Sequence, residues 1–266
     1  MKDAGRGAAD DPTLVLGVHG ILDQHPWVDR VRTEDDLDED VFSLVTKRAS
    51  AYGFSSTLLG KAAAHLELWE HNDADGDWAQ DGRVRQLAWL QATLPGRPRG
   101  RRLPLLPAVT VLTDALHRVG TVRFTGLHAV VPLRGVADVR AELATVADWY
   151  ALADPDGSAV LTVTVSARPS AGLAGRDAEV REAALARTYE RMTVEAASLP
   201  GPPPGLASPL AGEMQTTGMR QALAFRCGVR EWSPDVAAWT TEIFADALRA
   251  TGTAEPVLVT VSQQGQ

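Results

Sequence analysis

The chain has 266 residues, 34 of them acidic and 26 basic, with a net charge of −8, 45% hydrophobic residues and one cysteine. That length and apolar fraction suffice for one large or two ordinary cores and exclude disorder of the whole. Cys227 alone makes neither an internal disulfide nor a cysteine-rich zinc site, and no apolar run approaches the roughly 20 residues of a membrane helix. The acidic balance argues against general nucleic-acid binding, which needs a basic surface. Residues 1–11 lack the apolar segment of a secretory signal, so a cytoplasmic location is expected. Lys2, Lys47 and Lys61 are the only lysines; with abundant alanine and arginine this is an actinobacterial-like composition.

Residues 1–12 read as a flexible Gly/Ala/Asp-rich tail. Residues 13–22, TLVLGVHGIL, predict a strand that ends in the Asp-Gln-His-Pro turn. Four helical patterns follow. The first carries Leu37, Val41, Leu44, Val45 and Tyr52 behind the acids of 34–40; the second carries Leu59, Ala62, Leu66 and Trp69 after Ser55 or Ser56. A third spans about 83–94 on Val84, Leu87, Ala88 and Leu90, and a fourth uses Val109, Leu112, Leu116 and Val119. Residues 13–120 are therefore expected to be a mainly helical region with one leading strand.

From residue 121 onward the pattern is strand (122–133), helix (136–153), strand (159–165), strand (223–229), helix (234–251), strand (257–262). Ser233-Pro234 supplies an N-cap and a first-turn proline for the second helix. A long helix over 177–199 and the Pro-rich run 200–205 would interrupt this series as an insertion covering 170–218. The expected class is α+β, with a C-terminal ferredoxin-like (βαββαβ) domain at 121–266. Gly17-Val-His-Gly-Ile-Leu is similar to Gly126-Leu-His-Ala-Val-Val. The helices after the two stretches do not share a plan, so coincidence is the favoured reading over duplication.

Few residues announce chemistry. His19, Asp23 and His25 at the end of the first strand are candidate metal ligands. Asn72 to Asp77 is an acidic, glycine-containing stretch, but in EF-hand register Gly82 falls where a bidentate carboxylate is required, so weak or no calcium binding is expected. Residues 96–102 hold four arginines that would suit an acidic partner. No G-x-S-x-G elbow, phosphate loop or G-x-G-x-x-G turn occurs, and no cofactor is expected. Cys227 is in phase with Phe225 and Val229 and reads as a core thiol.

Strand phase is more informative. Leu127, Ala129, Val131, Leu161, Val163, Val165, Phe225, Cys227, Val229, Val257, Val259 and Val261 should share a face against the helices. The other face would carry Phe124, His128, Thr162, Thr164, Arg226, Arg230, Trp232 and Thr260 as a ligand- or partner-binding set. Two functions fit. One is a non-enzymatic binding or assembly protein that recognises a protein partner, or itself, through this sheet face and the helical half. The other is a cofactor-independent enzyme on a small anionic organic substrate, with His128 as general acid/base.

Overall fold

A computed structural model describes residues 13–34, 39–53, 69–93, 103–134, 139–199, 201, 205–208, 210 and 216–263. The tail 1–12, residues 55–68 of the second predicted helix, the arginine run 96–102 and most of the Pro-rich stretch lie outside these. The strands are β1 (Thr13–Gln24), β2 (Glu70–Asp75), β3 (Arg85–Thr93), β4 (Gly120–Val131), β5 (Ala159–Ala167), β6 (Thr193–Ala197), β7 (Gln221–Val229) and β8 (Val257–Gln263). The helices are α1 (Pro26–Glu34), α2 (Val41–Tyr52), α3 (Leu105–Val119), α4 (Arg140–Tyr150), α5 (Asp177–Leu185) and α6 (Pro234–Ala250).

All eight strands form one sheet in the order β2-β3-β1-β4-β8-β5-β7-β6, and every neighbouring pair is antiparallel. The order contains a symmetry. The first four strands lie as β2-β3-β1-β4 and the last four as β6-β7-β5-β8, so adding four to each strand number converts one half into the other. Helices follow the same rule: α1 and α2 join β1 to β2 as α5 joins β5 to β6, and α3 joins β3 to β4 as α6 joins β7 to β8. Helix α4 lies on the connection between the halves. They meet where β4 pairs with β8, from Gly126↔Ser262 to Val131↔Val257.

The mixed α/β class is as expected; the grouping of strands is not. The four strands assigned by sequence to one ferredoxin-like unit are neighbours in the order β4-β8-β5-β7. In a ferredoxin-like sheet the first and third strands would be central. Residues 13–120 also hold three strands rather than one. Helical spacing misled at 83–94 because Leu87 has no register partner on β1. This bulge turns the consecutive residues Leu87 and Ala88 both inward, so 87, 88 and 90 imitate a helix face. The helix expected over 177–199 stops at Leu185; Tyr189 and Glu190 take left-handed conformations (φ 49° and 63°), and the chain returns as β6. No glycine advertises that turn.

The predicted helix-facing strand residues all join one core with Val109, Leu112 and Leu116 of α3 and Ile243, Phe244 and Ala247 of α6. Ser233 caps α6 by accepting from the Val236 N–H at 3.2 Å, as its sequence foretold. Asp40 caps α2 by accepting from Ser43 N–H at 2.7 Å, and Ser43 returns the favour to the Asp40 N–H. Cys227 is fully buried in the core, and burial pushes its thiol up to about 12. No helix among the described residues is long and apolar enough to cross a membrane.

Candidate functional site

The sheet face turned away from the helices is polar along its centre, yet buried. Register places His128, Thr260, Thr164 and Ala224 in one row across β4, β8, β5 and β7, and Gly126, Ser262, Thr162, Arg226 and Glu195 in the next, which reaches β6. His19, His128, Thr162, Thr164, Thr260 and Ser262 are each at most 8% exposed. The hydroxyls of Thr162, Thr164 and Ser262 are enclosed without a hydrogen-bond partner among the described residues.

A pair of histidines sits at the first-half end of this array. His19 Nε2 and His128 Nδ1 are 2.8 Å apart, with their rings edge to face. The Ala207 N–H donates to His19 Nδ1 at 3.0 Å. That donor fixes the tautomers: the His19 proton is on Nε2, which donates to His128 Nδ1, leaving the His128 proton on Nε2. Both rings are then neutral. Burial, reinforced by His128, pushes His19 down to about 2 from its ordinary 6.5.

The Gly-x-His likeness between β1 and β4 has its explanation here. The strands are antiparallel, with Gly17 opposite His128 and His19 opposite Gly126. His128 lies over Gly17, whereas Gly126, opposite His19, is covered by Leu206. A Cβ on Gly17 would overlap the His128 ring. The match therefore records a reciprocal pairing register within the first half, while the duplicated strand order relates β1 to β5 and β4 to β8.

The predicted set is only partly assembled. His128, Thr162, Thr164 and Thr260 share the buried polar face, and exposed Arg226 borders it beside Thr162. Phe124 does not. Between His19↔Gly126 and Gly20↔Phe124 the register skips Thr125, and this bulge throws Phe124 out of phase with His128. Phe124 instead stacks on Trp232 at 4.7 Å and packs against the main core, and Trp232 Nε1 donates to the Phe124 carbonyl at 3.2 Å. Arg230 lies beyond the end of β7, exposed, beside a crevice of only about 50 Å³ with Tyr150 and Trp239. His19, Asp23 and His25 do not converge: His19 is sealed against His128, Asp23 is exposed, and His25 stacks on Trp27. Among the described residues no three metal-binding side chains come together.

Sequence reasoning missed a cleft in the first half. A cleft of about 700 Å³ opens between α1, α2 and α3, walled by Trp27, Leu44, Ala51, Trp78, Ala115 and Val119. On its rim Arg48 donates to Asp114 Oδ2 from Nε (3.0 Å) and Nη2 (2.6 Å), and the Tyr52 hydroxyl donates to the same oxygen at 2.7 Å. Partial burial pushes the Asp114 carboxyl up, but these donors outweigh it and hold it below the usual range. Lys47 pairs with Glu39, and His117 and Arg118 complete the rim. Trp27, Phe42 and Tyr52 remain 40%, 37% and 50% exposed on α1 and α2. The sequence signal was available in the apolar residues of α2 and α3, but α1 and the β2–β3 connection that carries Trp78 were not foreseen. Comparison with known proteins finds no family, curated protein or solved structure that matches the chain.

Proposed function

We propose that the chain is a non-enzymatic binding or assembly protein. Its helical half recognises a protein partner by seating the apolar side of an acidic amphipathic helix between α1, α2 and α3. The observation that carries this reading is the 700 Å³ cleft, whose size and largely apolar walls are those of a recognition site. Leu44 and Ala51 of α2 and Ala115 and Val119 of α3 line the cleft with apolar side chains, a surface suited to anchors spaced three and four apart on a helix. Lys47, Arg48 and Arg118 outnumber Glu39 and Asp114 on the rim, which favours an acidic flank on the incoming helix.

The enzymatic alternative loses support at His128. Its imidazole is fully buried and its Nδ1 accepts from His19, so the ring is not presented to a substrate. The same proposal treats 13–131 and 159–263 as two ferredoxin-like units joined edge to edge, because each half orders its strands fourth, first, third, second. It also keeps the cytoplasmic location expected from the composition.

The test is binding of labelled acidic amphipathic helical peptides to the full chain by fluorescence anisotropy, repeated on Ala115→Trp, which fills the groove. Saturable binding that the substitution weakens at least about tenfold supports the reading. Binding that ignores Ala115→Trp, or the absence of binding to any acidic helix, overturns it.

A further inference from the structure

The segment Gly205-Leu206-Ala207, on the long connection from β6 to β7, lies across the polar face of β1 and β4 and is read there as backbone. The Thr125 hydroxyl donates to the Gly205 carbonyl at 2.7 Å, and His19 Nδ1 accepts from the Ala207 N–H at 3.0 Å. Between these contacts the Leu206 side chain fills the notch over Gly126, where a Cβ would come within 2.6 Å of Leu206 Cδ2. Gly205 has φ +77°, and a Cβ there would come within 2.6 Å of the Thr125 carbonyl. One donor, one acceptor and one side-chain notch thus match C=O, N–H and the residue between them.

We propose that Thr125, Gly126 and His19 form a peptide-backbone site, occupied in cis by Gly205-Leu206-Ala207, that lets go of this segment when His19 is protonated. The logic is one of donors and acceptors. A neutral His19 has one acceptor nitrogen, and Ala207 uses it; its other nitrogen donates to His128 Nδ1. An imidazolium has no acceptor, so its Nδ1–H would face the Ala207 N–H. A proton on His128 Nδ1 would face the His19 donor in the same way. Among the described residues, the groups packed on the ring carry no compensating charge: β3 offers Gln86 opposite His19, β4 offers Gly126 and His128, and the segment offers backbone. Burial already holds His19 well below its ordinary range, and His128 is the one ionisable neighbour that adds to this. The site stands apart from the cleft and does not rest on the function proposed for it.

Amide hydrogen exchange of Ala207 in the full chain, followed between about pH 7.5 and 5 and corrected for intrinsic rates, tests the proposal. Below the ordinary histidine range the protection of Ala207 is expected to fall by up to about tenfold per pH unit, ahead of amides in β8. His19→Gln keeps one acceptor and one donor but does not titrate, so its Ala207 protection is expected to stay flat. Flat protection in the wild type, or the same acid loss in His19→Gln, overturns the proposal. Should the variant fail to fold, the wild-type imidazole signals decide: a His19 ring that titrates at an ordinary midpoint while Ala207 stays protected also overturns it.

Discussion

A methyl group at position 17 would overlap the imidazole of His128, so Gly17→Ala forces the ring off its hydrogen bond or the strands apart. The expected cost is about 1–3 kcal/mol in denaturant unfolding, the usual penalty for overfilling a packed interior. His19 gives a second residue-scale prediction, with its sign fixed by linkage. Its pKa is lowered in the folded state to about 2, from 6.5, so the unfolded chain takes up the proton first as pH falls. Stability from this residue is complete above about pH 6.5 and declines below it by about 1.4 kcal/mol per pH unit. Unfolding midpoints measured through that range should show the slope in the wild type and lose this share of it in His19→Gln. The two Gly-x-His triplets were visible in the sequence and the burial of Cys227 was correctly read. The meaning of the triplets was not visible, because an antiparallel pairing that sets each glycine opposite the other's histidine is a property of register.

Both halves tie their helices together with an arginine and an aspartate, in opposite solvent regimes. Arg48 and Asp114 join α2 to α3 at the surface, with side chains 43% and 33% exposed. Arg187, just past α5, meets Asp246 of α6 at 2.5 Å with side chains 2% and 1% exposed, and Asp246 also accepts from Arg249 at 2.6 Å. Removing one partner of a buried pair strands the other charge, so Asp246→Ala should cost about 3–5 kcal/mol. Asp114→Ala should cost far less, because its arginine returns to water. Thermal unfolding of the two variants side by side tests the contrast. Ser233→Ala should lower stability by about 1 kcal/mol through loss of the α6 cap. At this scale the second half was readable: β5, β7, β8 and α6 follow clean periods of two or 3.6, and Ser233-Pro234 marks a true helix start. Two of the failures, β3 and β6, share a cause. A bulge at Leu87 and a glycine-free left-handed pair at Tyr189-Glu190 alter the period without any of the residues that normally announce such breaks.

For the molecule as a whole, the duplicated strand order makes the β4–β8 pairing the only strand ladder between halves among the described residues, supported by packing of α3 on α6. Fragments 1–139 and 151–266 would each bare that edge, a strand row that seeks another chain. Mixed, they are expected to recombine into a 1:1 complex, while either alone self-associates; size-exclusion chromatography with light scattering reads the outcome. The sequence could not disclose this arrangement, because adjacency of strands far apart in the chain leaves no periodic trace. A βαββαβ pattern starting at residue 121 fits the same residues equally well, and only the neighbour order separates the two groupings. The cleft was hidden for a related reason: its walls come from three helices and from Trp78 on the β2–β3 connection.

Strand β8 is the last described strand along the chain, yet it lies fourth from one edge and fifth from the other. A growing polypeptide therefore cannot close its sheet gradually from one side. Until Val257–Gln263 leaves the ribosome, β4 and β5 face an open slot one strand wide, and insertion of β8 joins the seven earlier described strands into one continuous sheet. A chain lacking Val257–Gln263 would thus be left with a split sheet, and a nascent chain would need protection at that slot from the emergence of β5 until that of β8.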